Sequence, residues 1–129
     1  MPTTSTVGMD WMLVQTSSGS DLFYPRTPWM NAGDVGKIRG TIELLWHTGN
    51  AEVSLAYQTA NNETSQDGAA SVGSYVAMDG VAYPGGFTDI SGNTLAKQMV
   101  RLGWNVKLSS GSTQAYAFVG GSVDIQDCS

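Results

Sequence analysis

From Val100 to Leu108 the side chains alternate without a break: Val100, Leu102, Trp104, Val106 and Leu108 take one parity, and Arg101, Gly103, Asn105 and Lys107 take the other. A period of two belongs to a β-strand with one face on an apolar partner and one toward water. The same rhythm runs through Ile38 to His47, where Ile38, Ile42, Leu44 and Trp46 oppose Arg39, Thr41, Glu43 and His47. After Thr48-Gly49-Asn50 the chain resumes with Val53, Leu55 and Tyr57 against Glu52, Ser54 and Gln58, which predicts a hairpin. A second pair is predicted near the end, where Ser109 to Thr113 forms a loop and Gln114 to Ile125 returns as a strand. Within that strand, Gly120-Gly121 predicts a bulge or bend.

Weaker strand signals cover Met9 to Gln15, Asp21 to Tyr24 and Ser71 to Met78, while only Thr94 to Met99, behind the cap residue Asn93, suggests a turn of helix. Seven or eight short strands separated by turn signals predict an all-β fold, a single antiparallel two-sheet β-sandwich of jelly-roll type with little or no helix. A chain of 129 residues fits one such domain. The expected division is an extended N-terminal arm, residues 1–8, followed by the sandwich, residues 9–129. Three stretches are predicted as long loops: Pro25 to Asp34, Asn61 to Ala70, and Asp79 to Asn93. Loops carried on a rigid sheet are where binding is usually placed.

Several functions are disfavoured by what the chain is made of. Its formal net charge is -5, and its 6 basic residues are scattered, so no concentrated basic surface exists to meet nucleic-acid phosphates. Neither a signal-peptide pattern nor an apolar run of membrane-spanning length occurs, so neither export nor a membrane partner is expected. Cys128 has no second cysteine to pair with, and the 1 histidine, His47, falls on the outward parity of its strand beside no nucleophile. One His and one Cys cannot build the usual zinc sets, and Asp67-Gly68 and Asp79-Gly80 read as turns, since neither sits in a calcium-loop pattern. No glycine-rich phosphate cradle opens a helix. Asn62-Glu63-Thr64 matches a glycosylation acceptor by chance composition. The expectation is no enzyme, no metal and no cofactor.

The 4 tryptophans divide. Trp46 and Trp104 take the apolar parity of their strands and are expected to fill the space between the sheets. Trp11 is not settled by its surroundings. Trp29, Tyr83 and Phe87 fall in loops, where they either cap the ends of the core or serve as contact residues for a partner or a sugar ring.

In outline the chain resembles the small β-sandwich auxiliary proteins of tailed-phage particles, such as head-decoration proteins. The resemblance is best from Ile38 to Ile125 and rests on architecture, as in the strands Val100 to Leu108 and Tyr116 to Ile125. It implies a non-enzymatic virion subunit, made in the host cytoplasm, that contacts itself or a major capsid protein in a homo-oligomeric arrangement. Residues 1–8 and the loops around Trp29, Tyr83 and Phe87 would make those contacts. The alternative is a carbohydrate-binding module in which Trp29, Tyr83 and Phe87 stack on a glycan while Asn61 or Gln66 bonds to it.

Overall fold

The strands form two antiparallel sheets. In the computed structural model, residues 4–17, 19–61, 68–77, 86–91, 97–109 and 113–127 are described, apart from the side chains of 44–46, 73, 74, 76 and 77. The strands are β1 (Thr4–Thr16), β2 (Leu22–Pro25), β3 (Met30–Asn31), β4 (Lys37–Thr48), β5 (Ala51–Ala60), β6 (Ala70–Ala77), β7 (Thr88–Asp89), β8 (Met99–Leu108) and β9 (Ala115–Gln126). The first sheet runs β1-β9-β4-β7 and the second β2-β8-β5-β6, with β3 also on β8. Pairing is nested: β1 with β9, β2 and β3 with β8, β4 with β7, β5 with β6. The added pairs β4–β9 and β5–β8 roll this long ribbon into two layers. That is the jelly-roll sandwich expected from the alternation.

Both predicted hairpins are corrected by this order. β4 and β5 lie in opposite sheets, as do β8 and β9. An alternating strand must cover its apolar face, and consecutive strands here do so across the core instead of side by side. The β4–β5 crossing turns at Gly49, whose φ of 73° is the left-handed region that glycine enters without strain. A hydrogen bond of 3.0 Å from Ser109 N to Asn50 O ties the two crossings together.

Ile38, Ile42, Val119 and Val123 from the first sheet and Val53, Leu55, Val100, Leu102, Trp104 and Val106 from the second are buried in one core. Truncating any of the larger ones to alanine typically costs about 2–5 kcal/mol. Trp104 is fully buried, as its parity requires.

β9 is continuous through Gly120-Gly121, and the irregularities lie in its neighbours: the register slips between Met9 and Met12 in β1 and between Leu44 and Trp46 in β4. Gly121 is nonetheless obligatory, because a Cβ there would sit 1.9 Å from the Thr41 carbonyl oxygen. The β4 slip also resets the parity read from the sequence. Trp46 pairs with Phe118, and His47 pairs with the buried Ala117 instead of keeping the outward parity. The Trp46 side chain itself lies outside the described residues, as do Cys128, Asp67, Asp79 and Asn62 to Thr64.

Met99 opens β8, and residues 92–96, which include the cap residue Asn93 and the start of the predicted helical turn, lie outside the described residues. A 3-10 turn, Ala32–Asp34, is capped by Asn31, whose side chain accepts from Gly33 N at 2.9 Å. Thr4 to Gly8, within the stretch read as an arm, pair with Ser122 to Gln126. Among the described residues, no helix is long and apolar enough to cross a membrane.

Candidate interaction surfaces

On the outward face of the second sheet, two clusters of side chains pack on one another. Arg101 in β8 points outward, bonds through Nε to Gln58 Oε1 at 2.7 Å, and lies beneath two rings, Trp29 at 4.5 Å and Phe23 at 5.9 Å from their centroids. Such contacts hold a guanidinium against an aromatic face while its alkyl stem covers the sheet. Farther along, Tyr75 donates to Asp21, accepts from Ser71 Oγ at 3.0 Å and lies 4.0 Å below the Lys107 ammonium. Burial first, and then its bond to the Asp21 carboxylate, push the Tyr75 hydroxyl above its ordinary pKa. Asn105 and Ser54, polar by outward parity, are both fully buried in this cluster, and Asn105 Nδ2 reaches Ser71 Oγ at 2.9 Å.

On the first sheet the outward face begins with an ion pair across three strands. Arg39 in β4 meets Asp124 in β9 at 2.8 Å, and Thr6 in β1 donates to the same carboxylate at 2.7 Å. The Arg39 bond, followed by the Thr6 bond, holds Asp124 below the ordinary carboxylate range. Phe87 stacks on Arg39 at 4.3 Å. Farther along the same face, Trp11 and Phe118 stand with ring centroids 5.8 Å apart and planes within 15°. Trp11 is 43% exposed and Leu13, paired with Phe118, is 54% exposed.

The aromatic residues singled out by sequence therefore separate. Trp29 belongs to the outer face of the second sheet and Phe87 to that of the first, each half-buried over a different arginine. Tyr83 and Gln66 lie outside the described residues, and Asn61 is exposed just past β5. Among the described residues, the exposed large aromatic is Trp11, whose strand carries apolar residues on both parities and so gives no direction.

β1 is an edge strand, and its backbone is capped by Tyr24 of β2 and by Arg26 just after it. Tyr24 Oη accepts from Gln15 N at 3.0 Å and donates to Gln15 O at 2.6 Å, while Arg26 Nη2 donates to Asp10 O at 2.9 Å. Backbone groups that would otherwise template another strand are thus occupied at two points. Among the described residues, no three His, Cys, Asp or Glu side chains gather around a common point suited to a metal ion.

The strand order and layered core define a jelly-roll sandwich, an architecture that serves viral capsid domains, lectins and cupins alike. No family model and no curated protein matches the sequence. Among solved structures, the chain is similar to the infectious bursal disease virus VP2 subviral particle, with a TM-score of 0.63 at 12% identity over 98% of this chain and 33% of that one. It is also similar to T=1 particles derived from infectious bursal virus, with a TM-score of 0.64 at 10% identity over 98% of this chain and 32% of that one. A third likeness, to the Gx strain of the same virus, has a TM-score of 0.59 at 11% identity. The chain thus spans about a third of the length of the chains it matches. At these identities the likeness is one of fold.

Proposed function

We propose that this chain is a non-enzymatic structural subunit of a virus-type shell, acting through protein–protein contacts with further copies of itself. The observation that carries the reading is the jelly-roll likeness over 98% of the chain to proteins solved as viral particles. The half-buried aromatics Trp29 and Phe87, together with Tyr83, are the contact residues of this reading. Residues 1–8 would link subunits, with Thr4 to Gly8 exchanging their pairing with Ser122 to Gln126 for the same pairing in a neighbour. The narrower form, an auxiliary or decoration subunit seated on the major capsid protein of a phage, makes a different prediction: it stays small alone and binds a preformed lattice.

Light scattering coupled to gel filtration, with negative-stain imaging of the purified full chain, tests the proposal. Closed particles many times the 13.6 kDa chain mass are expected. A species that remains a monomer at every concentration contradicts the shell reading, and binding to a glycan by that monomer would favour the module instead.

A further inference from the structure

We propose that the trough beside Trp11, on the outward face of the first sheet, binds the ring of a neutral saccharide. The β1 bulge sets Asp10 and Trp11 together opposite Gly120. The indole lies down on that glycine: a Cβ at residue 120 would be 2.8 Å from Trp11 Cδ2. The indole stands nearly parallel to Phe118, and Trp11 remains exposed. Beside it is a shallow depression of about 400 Å³, within the range of small-ligand sites. Asp10, Thr41, Glu43, Gly121 and Ser122 are among the residues that line it. None of these four polar side chains meets a protein partner among the described residues.

A pyranose has a face of C–H groups and a rim of hydroxyls that both donate and accept. The indole supplies the apolar face, the carboxylates accept from sugar hydroxyls, and Thr41 and Ser122 do either. A glycine in the lining leaves room for the ring to approach. An organic cation would use the acceptors and leave the two hydroxyls idle. The site is distinct from the loops of Trp29 and Phe87, and it does not depend on the shell reading.

The test is titration of the full chain with methyl glucoside, lactose, N,N′-diacetylchitobiose, mannotriose and xylotriose, followed by tryptophan fluorescence and saturation-transfer NMR. At least one saccharide should saturate the signal, with transfer strongest at its C–H face. Trp11→Ala should weaken it about tenfold. Gly120→Ala, which displaces the indole without touching the ligand, should weaken it too, and Thr41→Ala should do so less. The proposal is overturned if no saccharide saturates by about 50 mM, if Trp11→Ala binds as the parent does, or if spermidine saturates the signal while the sugars do not. A chain that assembles yet binds no sugar removes this inference alone. One that binds sugar and stays monomeric removes the shell reading alone.

Discussion

A methyl group added at Gly103 would sit 2.0 Å from the Tyr24 carbonyl oxygen and 2.9 Å from Pro25 Cα. Both obstacles are backbone, so β2 could accommodate the methyl only by leaving β8. Gly103→Ala is therefore expected to cost about 3 kcal/mol or more, measured as the shift in urea unfolding midpoint at constant slope. Asp124 contributes to the acid response of the fold. Because folding lowers its pKa, the unfolded chain takes up the proton first as pH falls. The stability this group contributes is present in full above the ordinary carboxylate range and is lost as pH falls through the depressed value. Asp124→Asn should lower stability by about 1 kcal/mol at neutral pH and flatten the decline in acid, read from urea midpoints at a series of pH values. An unchanged acid slope would deny the Arg39–Asp124–Thr6 link its role. Residues on a strictly alternating strand were legible one by one, as Trp104 shows; those beyond a bulge were not, since one extra residue at Leu45 moves His47 opposite a buried alanine.

At the scale of elements, β1 shows how an edge is kept from adding strands. Tyr24→Phe removes both bonds to Gln15 and exposes a donor and an acceptor on the edge. Stability should fall by about 1 kcal/mol, and light scattering should reveal concentration-dependent association beyond that of the parent; a variant indistinguishable from the parent would mean that the cap is incidental. The segment Met9 to Gln15 was readable as a strand but not as an oriented one. Met9, Trp11 and Leu13 compete with Met12 and Val14 for the inward side, and only the bulge settles the contest by turning Trp11 and Leu13 out and Met9 and Val14 in. The sugar-binding trough was hidden for the same reason. β3 and β7, of two residues each, carry too little pattern to announce themselves and are held by pairing to β8 and β4.

For the molecule as a whole, the class of fold follows from alternation, because Val100 to Leu108 and Ile38 to Leu44 each offer one apolar face that a second layer must cover. Strand order does not follow. Alternation says which side of a strand is apolar and is silent about which strand lies beside it; turn signals alone pair neighbours in sequence, while the structure pairs β8 with β5 and β2, and β9 with β1 and β4. The dispersal of Trp29 and Phe87 has the same origin, because loop positions inherit the layer of the strands they join. Every functional reading above depends on β9 lying between the first strand and the fourth. Backbone nuclear Overhauser contacts of β9 measure this directly: the jelly roll predicts them from Val123 to Val7 on one side and to Gly40 on the other, whereas contacts placing β9 against β8 as a hairpin would contradict it.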